Sequence, residues 1–111
     1  MQISTEELPG GITRVELDGR MDIAGAAVVD LKMNLIAGSA KKLLIDLQKV
    51  AFLGSMGLRS IVIPARAVHG RGGKVVLFAP NEMVQSVLKT SGIDSLIPVR
   101  HDLDAAIAVL G

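Results

Sequence analysis

At 111 residues and 11.6 kDa, with half of its residues hydrophobic, the chain has room for one domain around one continuous core and is not expected to be disordered. With no cysteine, and with Phe52 and Phe78 as its only aromatics, it excludes disulfides, thiol chemistry, cysteine-held zinc and the aromatic platforms on which single-stranded nucleic acids stack. Its formal charge of +1, with acids and bases interleaved, lacks the basic surplus with which proteins grip a phosphate backbone, so nucleic acid is not an expected partner.

The segment Met1 to Gly11 has neither the basic start nor the apolar stretch of a signal peptide, and no apolar run approaches the ~20 residues that span a bilayer. A soluble, cytoplasmic chain with no direct membrane insertion is expected. Met1 to Leu8 reads as a weak first strand, Pro9-Gly10-Gly11 as a turn, and Ile12 to Asp18 as a second strand, so the pair predicts a hairpin. Ala24 to Ala37 carries apolar Ala27, Val28, Leu31 and Leu35 at helical spacing, with polar Asp30, Lys32 and Asn34 between them and Gly38 as a stop. Lys41 to Leu47 is a compact strand whose Leu43-Leu44-Ile45 run predicts burial on both faces.

A second helix opens at Ser55 and runs to about His69, where Gly70 to Gly73 breaks the pattern. Pro64 falls inside it, which predicts a kink or a later start, because proline removes one helical hydrogen bond and clashes with the preceding turn. Val75 to Phe78 reads as a buried strand, Asn81 to Thr90 as a helix with Pro80 or Asn81 at its start and Gly92 past its end, and Leu96 to Val99 as a short last strand. His101 to Leu110 closes the chain as a helix that Asp102 can cap. The order β-β-α-β-α-β-α-β-α predicts an α/β fold over residues 1–111: a mixed, mostly parallel sheet with an N-terminal antiparallel hairpin, covered by about four helices.

Leu44 to Ser60, LIDLQKVAFLGSMGLRS, carries most of the functional information. A strand ends, and Gly54-Ser55-Met56-Gly57 stands where a helix must begin. A serine there has two readings. Its hydroxyl can accept from the amides of the first turn as a cap worth ~1 kcal/mol. The same position, at the positive end of the helix dipole among free backbone donors, also suits a phosphate.

The element order together with I-D-L-x-x-V-x-F-L-G-S-x-G-L resembles the STAS domain family, specifically the anti-sigma-factor antagonists. That family carries a D-S-S/T/A-G-[LIV] segment after its third strand. By position Ser55 corresponds to its phosphorylated serine, Gly57 to its glycine and Leu58 to the apolar residue that follows. Gly19-Arg20-Met21-Asp22 is similar to the family's G-x-[IL]-D element, and Gly72-Gly73-Lys74 and Ser91-Gly92-Ile93 fit as well. The chain departs from the pattern at Gly54, where the family has aspartate, at Met56, where it has a small residue, and at Arg59, where many members have glycine.

The resemblance implies a STAS-like domain working as a bacterial, cytoplasmic partner-switching regulator of transcription. The unphosphorylated form binds an anti-sigma factor that is also a serine kinase of the histidine-kinase-like ATPase type. Phosphorylation of Ser55 releases that partner, and a PP2C-like phosphatase resets the serine. ATP then belongs to the partner, the chain carries no cofactor and no metal, and it is not an enzyme. Asp22, Gly54, Met56, Gly57, Leu58 and Arg59 are the implied partner-binding residues, with Arg59 one turn after Ser55 and able to pair with a phosphoserine. The alternative within the same family is a constitutive subunit of a lipid-transport ABC system, or a stressosome-type scaffold, with no phospho-switch.

Enzymatic readings find little support. A G-x-S-x-G elbow needs glycine where the chain has Leu53, and only His69 and His101 could act as a base. Gly70-Arg71-Gly72-Gly73-Lys74 lacks the spacing of a phosphate loop and precedes a strand instead of opening a helix.

Overall fold

The computed structural model describes residues Met1–Gly111. Strands β1 (Gln2–Leu8) and β2 (Ile12–Met21) form the antiparallel hairpin, in register from Gln2 opposite Asp18 to Leu8 opposite Ile12. Gly10 and Gly11 make its turn at φ 90° and 75°, a left-handed conformation that glycine adopts without a Cβ penalty. From β2 onward every pairing is parallel: β2 with β3 (Lys42–Leu53), β3 with β4 (Lys74–Phe78), and β4 with β5 (Val99–Arg100). The sheet order is β1-β2-β3-β4-β5, so each crossover moves one strand in the same direction.

That order dictates the layering. Crossovers of one hand that always step the same way put their helices on one face of the sheet. Helices α1 (Ile23–Ser39), α2 (Ser55–Gly70) and α3 (Glu82–Thr90) share that face, and a 3-10 turn at Ile93–Ser95 leads into β5. Their Val29, Ile61 and Val84 join Leu43, Ile45, Val75 and Leu77 in a cluster of 21 buried residues. The last helix, α4 (Leu103–Leu110), folds back alone onto the other face, where Ala106 and Leu110 meet Ile12, Leu44, Val76 and Phe78 in a cluster of six. Leu43, Leu44 and Ile45 are thus buried alternately on both faces, as their unbroken apolar run predicts.

One helix cannot cover a whole sheet face, and the part of it over β2 and β3 is closed by charge. Asp46, fully buried, accepts from the Arg14 guanidinium, from the Gln48 amide N–H at 2.9 Å and from the Gln48 side chain at 3.0 Å. Arg14 also meets Glu16 at 3.0 Å, and Lys49 meets Glu16 at 3.1 Å. Burial pulls the Arg14 pKa down, but its hydrogen bond to Asp46 and the charges of Asp46, Glu16 and Glu6 outweigh that and leave it raised. Every buried side-chain polar atom has a partner, as a satisfied network requires.

Several boundaries differ from those read in the sequence. β2 continues to Met21 and β3 to Leu53, because each pairs with the other past a bulge and buries Met21, Val50 and Leu53. α1 passes through Gly38 to Ser39, and β5 begins at Val99, not Leu96. Pro64 sits inside α2, which nonetheless starts at Ser55, and it is buried.

The inward face of α1 is not the one that carries Val28, Leu31 and Leu35. Val28, Leu31 and Leu35 are 57%, 73% and 68% exposed, and Ala27 is exposed too; the buried side is Ala26, Val29, Met33 and Ala37. Apolar residues stand on its exposed side as well as on its buried one, so periodicity finds a helix without finding its inner face. The buried side packs against the sheet and α2, with Met33 as its largest member, and beside it Asp30 accepts from the Ser60 hydroxyl. Met33→Ala is therefore expected to cost about 2–5 kcal/mol in urea unfolding, whereas Leu31→Ala stays within about 0.5 kcal/mol of wild type.

Candidate functional site

β2 and β3 end side by side, with Met21 opposite Leu53, so the two helices that follow start at one end of the sheet. Both first turns press against the end of β2. The Gly54 amide donates to the Met21 carbonyl at 3.0 Å. A Cβ on Gly57 would lie 2.2 Å from that same oxygen, and one on Gly25 would lie 2.0 Å from the Arg20 carbonyl. Neither position has room for any side chain.

The helix starts then differ in one respect. Asp22 caps α1 by accepting from Gly25 N–H at 2.8 Å, Asn81 caps α3 through Val84 N–H at 2.8 Å, and Asp102 caps α4 through Ala105 N–H at 3.1 Å. The cap position of α2 is Gly54, which has no side chain to offer. Ser55 is the first helical residue instead of the cap, which overturns the capping reading of its hydroxyl. It is exposed, and the first intrahelical bond runs from Leu58 N–H to the Gly54 carbonyl at 2.9 Å. The amides of Ser55, Met56 and Gly57 therefore lack helical acceptors, at the positive end of a 16-residue helix.

The surroundings are polar on one side and apolar on the other. The Asp22 pKa is lowered, first by the hydrogen bond from Gly25 N–H and further by Arg20, against a smaller desolvation effect. The Arg20 guanidinium lies 3.7 Å from the Asp22 carboxylate and 4.5 Å from the centre of the Phe52 ring. Phe52 in turn stands beside Gly54, where a Cβ would come within 3.2 Å of its ring. Met56 is 40% exposed, and Arg59 is exposed with no ion pair.

Of the residues singled out in the sequence, Asp22, Gly54, Ser55, Met56 and Arg59 thus lie about the starts of α1 and α2. Gly57 is buried against Met21, and Leu58 is half-buried against the large core cluster, so these two hold the helix in place. Arg20 and Phe52 escaped sequence reasoning. Their signal was present in Gly19-Arg20-Met21-Asp22 and in the aromatic two residues before Gly54, but only the pairing of β2 with β3 makes Arg20 and Phe52 neighbours.

The arrangement offers a hydroxyl on an open helix end, free amides and two nearby arginines. Of the two histidines, His69 is at the far end of α2, about 21 Å along the helix at 1.5 Å per residue. No group of His, Cys, Asp or Glu residues is placed to hold a metal ion.

The STAS domain family model matches residues 3–106. The chain is 24% identical over 109 residues, 97% of its own length and 93% of the relative's, to BtrV of Bordetella bronchiseptica, which is named with the anti-sigma factor antagonists. Among solved structures it is similar to an anti-sigma factor antagonist from Mycobacterium paratuberculosis, at 26% identity and TM-score 0.84, covering 98% of this chain and 94% of that one. It shares its fold with the Bacillus cell-fate determinant SpoIIAA in the phosphorylated form, at 16% identity and TM-score 0.74, covering 97% of this chain and 99% of that one.

The two glycines that bear on the helix start differ from one that does not. Gly57→Ala is expected to lose about 1–3 kcal/mol or more, since a backbone oxygen blocks the new methyl. Gly38→Ala, with nothing within 4 Å inside α1, should gain roughly 0.5–1 kcal/mol. Thermal or urea unfolding of the two variants reads both signs.

Proposed function

The chain belongs to the STAS domain family, and from that premise we propose that residues 1–111 are one STAS domain acting as a phospho-switched anti-sigma factor antagonist. The observation that carries the reading is the start of α2: an exposed serine, not used as a cap, beside three amides with no helical acceptor. Unphosphorylated, the domain docks an anti-sigma factor that is also a serine kinase of the histidine-kinase-like ATPase type. Asp22, Gly54, Met56 and Arg59 face that partner, and Gly57 and Leu58 fix the helix that presents them. The kinase transfers phosphate from its own ATP to Ser55, and a PP2C-like phosphatase removes it. The chain is a binding protein and substrate, not an enzyme. It works in the cytoplasm, and no helix is long and apolar enough to cross a membrane.

Physical chemistry supports release without refolding. A phosphate adds about −1.5 to −2 charge at neutral pH, and the free amides and dipole of α2 can accept it locally. Arg59, on the same helical face one turn on, can pair with it. A partner surface fitted to the bare hydroxyl then faces a bulky dianion, and each 1.4 kcal/mol of lost or repelled contact weakens docking tenfold. The fold of the chain matches SpoIIAA in both its unphosphorylated and phosphorylated forms, at TM-scores of 0.79 and 0.74. Where the family carries an aspartate, Gly54 has the Phe52 ring beside it, with a Cβ there 3.2 Å from the nearest ring carbon.

The test compares wild type with Ser55→Ala and Ser55→Asp, each recovered with its bound proteins from native lysate and analysed by mass spectrometry. Wild type and Ser55→Ala should retain a histidine-kinase-like ATPase, Ser55→Asp should bind it roughly 100-fold more weakly (about 2.7 kcal/mol), and part of the wild type should carry phosphate on Ser55. Retention of one partner by all three, with Ser55 never modified, would overturn the switch and leave a constitutive transporter subunit or scaffold.

A further inference from the structure

The opposite end of the domain holds an apolar hollow that the switch does not use. Pairing of β4 with β5 covers only Leu77 and Phe78, so the edge of β4 over Lys74–Val76 has no strand beside it. Leu77 and Ala79 donate their amides toward the β5 segment, to the Pro98 and Arg100 carbonyls at 2.9 and 2.8 Å. By the two-residue alternation of a strand, Val75 turns its backbone to the same open edge. The gap is walled by Val62 and Ala65 of α2, by Ile93, Leu96 and Ile97, and by Val109 of α4, and is a half-open space of about 580 Å³. That volume is within the range of small-molecule sites, roughly 300–1,000 Å³. Leu96 stands at its mouth and is 60% exposed.

The charged residues lining the hollow, Arg66 and Lys74, are of one sign; His69 lines it beside them, and no lining residue is acidic. None of the three takes part in any of the chain's ion pairs, which lie on β1, β2, β3 and the start of α1. The dipole of α2 favours a basic residue in its last turn, where His69 stands. It does not account for Lys74, which opens a strand, nor for the apolar space between them. An apolar chamber edged by unpaired cations complements a molecule with an apolar tail and one anionic head. We propose that this hollow binds a long-chain fatty carboxylate, its tail between Val62, Ile97 and Val109 and its head at Arg66, His69 and Lys74.

The proposal is independent of the switch, and its test keeps the two apart. Amide NMR spectra of the wild type are recorded through titrations with dodecanoate and with dodecyltrimethylammonium, which pairs a tail of the same length with a positive head. Dodecanoate should shift the amides of Val62, Leu96, Ile97 and Val109 saturably below its micellar concentration, and the cationic analogue should bind at least tenfold more weakly. The double variant Arg66→Glu/Lys74→Glu, which alters two exposed side chains, should lose at least tenfold in dodecanoate affinity while keeping a dispersed, folded spectrum. Leu96→Asp should lose a similar factor, and Ser55→Asp should change nothing. Equal binding of the two amphiphiles would overturn the proposal by reducing the hollow to a sticky surface. Non-saturating shifts, or shifts on the exposed face of α1 instead, would also overturn it. So would slow translational diffusion without ligand together with line broadening at Leu96 and Val109, which would assign the hollow to a second copy of the chain.

Discussion

The Met21 carbonyl, at the end of β2, takes the Gly54 amide at 3.0 Å and lies 2.2 Å from where a Cβ on Gly57 would sit. Around that one oxygen the start of α2 has a single way to pack. The helix comes close enough only because position 57 has no side chain. Position 54 is tied to the same oxygen by its amide and carries glycine, and a glycine cannot cap. The consequence is a helix whose first amides go unanswered while the next residue, Ser55, turns its hydroxyl outward. Close packing at the end of one strand thus makes the neighbouring surface chemically receptive.

The layering makes that surface a rigid one. Three crossover helices share one sheet face, and α1 and α2 both begin where β2 and β3 end. Their first turns are held by backbone and core contacts, not by mobile loops, so charge added at Ser55 acts on a fixed patch. The other face has only α4, and the strands beside it close themselves with Arg14, Asp46, Glu16 and Lys49. With its carboxylate fully buried and its other partners in place, that network keeps the uncovered part of β2 and β3 in register. The far end of the sheet, where β5 is too short to cover β4, is where an apolar hollow can open without disturbing either core.

Much of this was legible in the residues. Gly and Pro punctuation marked the turns, the Leu43-Leu44-Ile45 run announced a strand buried on both faces, and the alternation of strands and helices announced a mostly parallel sheet behind an antiparallel hairpin. The face of α1 was not legible, because Val28, Leu31 and Leu35 are as apolar as Val29 and Met33, which are buried. The true cap of α2 was hidden because serine is the better capping residue, and only the bond from Leu58 N–H to the Gly54 carbonyl shows that the helix begins one residue earlier than a serine cap requires. Arg20 over Phe52 is a contact between strands, and periodicity along one strand carries no information about its neighbour across the sheet.

Backbone amide NMR of the wild type before and after phosphorylation of Ser55 tests the central claim most directly, that the start of α2 takes the phosphate locally. Large downfield shifts confined to residues 54–59 and to Asp22–Gly25 are expected, with core amides such as those of Val15, Leu47 and Leu77 unmoved. Unshifted amides at Ser55, Met56 and Gly57, or shifts spreading through the sheet, would contradict it.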